Sequence, residues 1–167
     1  MNQSVGEWPS LVVFDLDFTL WDAGGLWCDC LRPPFRLDGG QVVDDVGRVI
    51  RIYPDVLHLL EALPTRGCTL GLASRTGEPE WARKLLGLLG LTTTFRFQAI
   101  YPSDKKAHFR QLQSESGLGY EDMLFFDDED RNIRSVSKLG VHSHLVQRGV
   151  RLEDFDKALE GWRTLRC

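Results

Sequence analysis

The chain has 167 residues and a mass of 19.0 kDa, the size of one domain, long enough to bury roughly 70% of the surface its unfolded form exposes. Hydrophobic residues make up 43% and charged residues 26%, which excludes global disorder and a collagen-like chain. Twenty Lys and Arg against 24 Asp and Glu give a formal charge of -4, which argues against a protein built to bind nucleic-acid phosphates.

In chain order, Leu11 to Phe14 is a short apolar run and reads as a buried strand. Trp21 to Ile52 is irregular, with Gly24-Gly25, Pro33-Pro34 and Gly39-Gly40 as turn formers and a small hairpin expected within 42–52. About thirty residues is too long for an ordinary connection, so 21–52 is read as a small functional insertion. Val56, Leu60 and Leu63 recur at helical spacing after Pro54, and Gly67 suits the helix end. Thr69 to Ala73 is a second strand, followed by a helix from Pro79 through Trp81, Leu85 and Leu88. Phe95 to Ile100 alternates as a third strand, and Ser103 is a candidate cap for a helix ending near Gly117. Met123 to Phe126 is a fourth strand, with a helix through Ile133, Val136 and Leu139 after it. Val141 to Val146 is a fifth, and Leu152, Phe155, Leu159 and Trp162 mark a last amphipathic helix. Strand and helix alternating in this way predict an α/β fold, a single domain over 1–167, with a mainly parallel sheet covered on both faces.

No apolar run approaches the roughly 18 residues of a membrane-spanning helix, and Met1 to Ser10 lacks the basic-then-apolar pattern of a secretory signal. Cys28, Cys30, Cys68 and Cys167 include a single close pair. They read as reduced thiols in a cytoplasmic protein rather than as a zinc site, which needs a second ligand pair. His142 and His144 read as polar strand positions, and the five tryptophans mostly as core or packing; Trp21 and Trp27 flank the site segment, so each has a substrate contact as its alternative reading.

Ligands of a parallel sheet sit beyond the carboxyl ends of its strands. There the sequence places Asp15 and Asp17, then Ser74-Arg75-Thr76, then Lys105, then Asp127-Asp128. Carboxylates grouped without His or Cys favour a hard cation such as Mg2+. Such a set suits phosphoryl transfer: one carboxylate attacks phosphorus, a second moves protons, and a hydroxyl and an ammonium hold phosphate oxygens. Asp128 is the expected metal ligand and Asp127 its support. Glu129 and Asp130 read as solvated charge at a helix start. Arg75 is read either as a substrate contact or as surface charge, and Asn132 either as a first-turn polar residue or as a brace for the acids.

The motifs D-x-D-x-T-L at Asp15 to Leu20, S-R-T at Ser74, Lys105 and D-D-E-x-x-N at Asp127 to Asn132 resemble the four motifs of the haloacid-dehalogenase superfamily. F-D-L-D-F-T-L-W from Phe14, P-P-F from Pro33 and I-Y-P-x-x-K ending at Lys105 resemble, more narrowly, the eukaryotic magnesium-dependent phosphatases. The resemblance runs from about Leu11 to Trp162. It implies a Rossmann-like three-layer αβα sandwich without a large cap domain, and hydrolysis of phosphate monoesters through a phospho-aspartate. It implies Asp15 as nucleophile and Asp17 as general acid and base. Mg2+ would be held by Asp15, Asp17 (through its backbone carbonyl) and Asp128, and the substrate by Ser74, Arg75 and Lys105. The implied substrate is protein phosphotyrosine or, alternatively, a sugar phosphate attached to an amine. The expected protein is a monomer with neither nucleic-acid nor membrane partners. A response-regulator-like phosphoacceptor domain uses a similar pocket. It carries its phosphoacceptor after strand three, however, whereas the candidate nucleophile here follows strand one.

Overall fold

The computed structural model describes residues 6–166; Cys167 and the first five residues, part of the segment tested above for a signal, lie outside them. Five parallel strands form the central sheet: β1 (Leu11–Phe14), β6 (Thr69–Ser74), β7 (Phe97–Ile100), β8 (Met123–Asp127) and β9 (His142–Leu145), in the order β7-β6-β1-β8-β9. β1 lies at the centre with every residue buried, as expected of an apolar run covered on both faces.

The alternation of side chains along the strands builds three layers. Val12, Phe14, Leu70, Leu72, Leu124 and Phe126 point to one face. They pack with α1 (Val56–Thr65), α2 (Pro79–Leu88) and α5 (Leu152–Thr164). Leu11, Val13, Ala73, Ala99, Met123 and Phe125 point to the other, against α3 (Lys105–Ser116) and α4 (Asp130–Ser137). Phe14 and Phe126 stack across neighbouring strands with centroids 5.5 Å apart, while Phe125 meets Phe109 edge-on at 4.8 Å on the opposite face. This is the αβα sandwich expected from the sequence.

The 21–52 segment holds more order than the expected hairpin. β2 (Trp21–Ala23), β3 (Arg36–Asp38), β4 (Gln41–Val43) and β5 (Val49–Ile52) form a four-stranded antiparallel sheet in the order β2-β5-β4-β3. Asp44 organises its tightest turn. Fully buried, it accepts from the amides of Arg32 (3.1 Å), Val46 (3.1 Å) and Arg48 (2.8 Å) and from the Arg48 guanidinium at 3.0 Å. Burial alone would raise its pKa, but these donors outweigh it and hold the carboxyl below its ordinary value.

Several boundaries differ from the sequence reading, two of them near the site. The cap of α3 is Asp104, not Ser103: its carboxylate accepts from the Ala107 amide at 2.8 Å, and Gly117 closes the helix at φ +71°. The third strand starts at Phe97, with Phe95 buried beside it. Among the described residues, no helix is long and apolar enough to cross a membrane.

Candidate active site

Asp15 follows the last residue of β1, Ser74 ends β6 and Asp127 ends β8, so three adjacent strands deliver their terminal side chains to one edge. Phe18 sits in the left-handed region at φ +59° and turns the chain sharply after Asp17. Its amide donates to the Trp21 carbonyl, and its carbonyl accepts from the Gly149 amide at 2.8 Å. Both carboxylates of the D-x-D motif are therefore kept at the strand end rather than carried away with the chain.

Lys105 supplies the positive charge. Although its residue is only 1% exposed, its Nζ reaches Asp15 Oδ1 at 2.7 Å and Asp127 Oδ2 at 3.1 Å, and it donates to the Ala73 carbonyl. An ammonium has three protons, and these three acceptors use all of them. Burial pulls the Lys105 pKa down, but the two carboxylates override it and keep the group charged. Its position as the first residue of α3, immediately after the Asp104 cap, fixes where the side chain leaves the helix.

Asp15, Asp127 and Asp128 each bring a carboxylate oxygen to within 4.8 Å of the others. Burial first, and the Asp127 charge among the neighbours, push the pKa of Asp15 well up and that of Asp128 to about 6. An all-oxygen set whose members repel one another fits a divalent hard cation, which would remove the repulsion. The Asp127 carboxylate lies in this cluster as well. It is held there by Lys105, by the Glu129 amide at 2.8 Å and by Asn132 Nδ2, which reaches both oxygens at 3.2 and 3.1 Å. Asn132 Oδ1 in turn accepts from the Arg75 guanidinium at 3.2 Å. The side chains of Arg75 and Asn132, each left with two readings by the sequence, form one chain of contacts ending on Asp127.

The carboxylate of Asp17 lies apart from the acidic cluster. Oδ1 accepts from the Trp21 indole at 2.7 Å, and the Cys28 amide reaches both oxygens at 3.1 and 3.0 Å. Burial raises its pKa against the pull of these donors. Of the roles expected for Asp17, this environment suits proton transfer. A metal contact would have to come from the backbone carbonyl, as the resemblance implies.

Ser74 is buried at the cleft floor, and its Oγ lies 3.4 Å from the Thr76 amide. The 3-10 turn Cys28–Cys30 is latched to the loop after β6: the Cys28 thiol donates to Thr76 Oγ1 at 3.4 Å, and Asp29 accepts from the Gly77 amide at 3.2 Å. Cys28, Cys30 and Cys68 are free thiols, and burial drives the Cys28 pKa far up, so this thiol stays protonated. Asp15, Asp17, Ser74, Arg75, Lys105 and Asp128 line a cleft of about 190 Å3 that also includes Trp27, Glu129 and Arg131. The sequence reading favoured the core for both Trp21 and Trp27, with a substrate contact as the alternative. Trp21 is fully buried, whereas Trp27 is 55% exposed and stands on the cleft wall.

Comparison with known proteins identifies the family. Residues 7–165 match the family model described as Acid Phosphatase. The chain is 44% identical over 154 residues to human Magnesium-dependent phosphatase 1, covering 91% of this chain and 86% of that protein. It is 38% identical over 148 residues to a HAD-like hydrolase superfamily protein of Schizosaccharomyces pombe, covering 81% and 84%. In fold it is similar to the crystal structure of beta-phosphoglucomutase from Clostridium difficile. The TM-score is 0.66 at 12% identity, over 93% of this chain and 99% of that one.

Proposed function

The chain belongs to the acid phosphatase family, among the magnesium-dependent phosphatases of the haloacid-dehalogenase superfamily, and on that premise we propose that it hydrolyses phosphate monoesters through a phosphorylated Asp15. The observation that carries the reading is the meeting of Asp15, Asp127, Asp128 and the buried Lys105 ammonium at the ends of adjacent strands. The metal is Mg2+, with Asp15, Asp128 and the Asp17 carbonyl as its assigned ligands and the Asp127 carboxylate beside them. When bound, it supplies positive charge against the phosphoryl oxygens.

In the proposed reaction an Asp15 carboxylate oxygen bonds to phosphorus as the ester P–O bond breaks. Asp17, protonated at the start, gives its proton to the departing oxygen. Its raised pKa supports this starting state. Water then attacks the phosphoryl group, Asp17 takes back a proton, and the Asp15–phosphorus bond breaks to release inorganic phosphate. Lys105 orients the Asp15 carboxylate and favours the phosphoryl group through its positive charge, while Ser74 and Arg75 contact phosphoryl oxygens.

The proposed substrate is phosphotyrosine on a protein. Support comes from the open cleft: the 21–52 segment forms one wall without a separate cap domain over the acids. We take 1–167 as one catalytic domain bearing that insertion, acting as a monomer in the cytoplasm. The three free thiols are consistent with a reducing setting.

Asp15→Asn tests the mechanism. With Mg2+ and an aryl phosphate, the variant should lose turnover by at least about a thousandfold and give no acid-stable, hydroxylamine-labile phosphoryl-enzyme. Wild-type turnover retained in Asp15→Asn would rule out this nucleophile.

A further inference from the structure

Trp27 is the one apolar residue among those lining the cleft, and the one aromatic among the large hydrophobic side chains exposed on the described residues. Single exposed apolar residues are ordinary on a protein surface. This one is set apart by its place: it faces a polar cleft whose floor is Asp15, Ser74 and Lys105.

Its backbone is also fixed. The Trp27 carbonyl accepts from the Cys30 amide at 2.9 Å, and the Leu26 amide beside it donates to Ala23 at 3.3 Å. The next two residues are tied down by the Cys28 contacts to Asp17 and Thr76 and by the Asp29 contact to Gly77. The turn that presents the indole is therefore the turn that holds the Asp17 carboxylate. Asp17 and Trp27 line the same cleft, the carboxylate buried and the indole exposed, so a leaving oxygen within reach of Asp17 shares that cleft with the ring.

We propose that Trp27 forms the leaving-group subsite and determines specificity. Its ring packs against a flat aromatic leaving group and so favours aryl over alkyl phosphate esters. The inference rests on the phosphatase reading for the location of the phosphoryl group, and concerns the wall of that site rather than its chemistry. An aromatic wall on a fixed turn suits such recognition because ring–ring contact adds to simple burial and a tryptophan side chain has only two torsions to order on binding.

The test separates binding from turnover. Affinities for phenylphosphonate and methylphosphonate, neither of which can be hydrolysed, are measured with Mg2+ for wild type, Trp27→Ala and Trp27→Phe. The wild type should prefer the phenyl compound, Trp27→Ala should reduce that preference about tenfold, and Trp27→Phe should keep most of it. The ratio of kcat/KM for phenyl phosphate to that for β-glycerophosphate should move in parallel. A merely structural role would lower both affinities together. If the alanine variant does not fold, Trp27→Leu gives the same reading, because it keeps apolar bulk and removes the ring. Equal ratios in wild type and variant, or no phenyl preference in wild type, overturn the proposal. Absent turnover with an intact Trp27-dependent phenylphosphonate preference would overturn the hydrolytic reading and leave the subsite standing.

Discussion

One turn of α3 holds two buried basic side chains with opposite fates. Lys105 faces the carboxylates of Asp15 and Asp127 and remains charged, whereas His108 faces no carboxylate within hydrogen-bonding reach. Its Nε2 lies 2.9 Å from the Tyr101 carbonyl, its Nδ1 has no protein partner, and burial lowers its pKa from 6.5 to about 4. Since the unfolded chain takes up the proton first, this depressed value adds stability that is complete above about pH 6.5. It is lost as pH falls toward 4. The two values correspond to about 3 kcal/mol. The raised pKa values of Asp15, Asp17 and Asp128 act in the opposite sense over the acid part of this window. The measurement is therefore a difference: urea unfolding of wild type and His108→Gln in EDTA, from pH 7.5 to 4. The stability advantage of wild type should shrink with acidification, and a pH-independent difference would refute the assignment.

At this same scale the sequence was informative about the acids and less so about what holds them. Asp15, Asp17, Ser74, Lys105 and Asp128 could be found because each follows an apolar run. Asp17's partners could not: the Trp21 indole folds back on it across the left-handed turn at Phe18, and the Cys28 amide reaches it through a loop turned by Gly24 and Gly25, both at positive φ. Trp27 and Trp21 look alike in sequence; only the latch of the 28–30 turn onto Thr76 and Gly77 separates a wall from a core.

Among the elements, the five parallel strands were legible because their pattern is decided by burial on both faces. β2 and β3 were not. Each has three residues, and β3 is exposed throughout, so they exist through pairing with β5 and β4 rather than through their own pattern. Asp44 carries much of that arrangement. Asp44→Ala leaves the part-buried amides of Arg32, Val46 and Arg48 without their acceptor, and the loss of these bonds costs about 1 kcal/mol or more. The cost should fall locally. Amide exchange across 42–50 should accelerate at least about tenfold while β1 stays protected, and uniform acceleration through β1 would contradict a local role.

For the whole molecule, the acidic cluster couples cation binding to folding. A ligand held only by the native state at a hundred times its Kd stabilises by about 2.7 kcal/mol. For a chain of this size that raises Tm by about 5–10 °C. Metal binding needs the deprotonated carboxylates, and Asp128 takes up its proton near pH 6. The Mg2+-induced rise in Tm should therefore be full at pH 7.5 and small at pH 5, as read by scanning calorimetry with Mg2+ and with EDTA. An equal rise at both values would show that Asp128 is not a ligand.

The pairing of β2 with β5 has a wider consequence. Trp21 lies opposite Ile52, Asp22 opposite Arg51 and Ala23 opposite Ile50, so the chain leaves the catalytic layer and returns to it along two adjoining strands. Such a doorway has a width set by one ladder of hydrogen bonds, whatever length of polypeptide passes through it. The residues between Ala23 and Val49 are thus a cassette. A different sequence that keeps an amide on Asp17, as Cys28 does, could be spliced there, offering a different wall to the substrate without changing the distance between Asp15, Lys105 and Asp127. The scaffold can explore new leaving groups while its phosphoryl chemistry stays fixed.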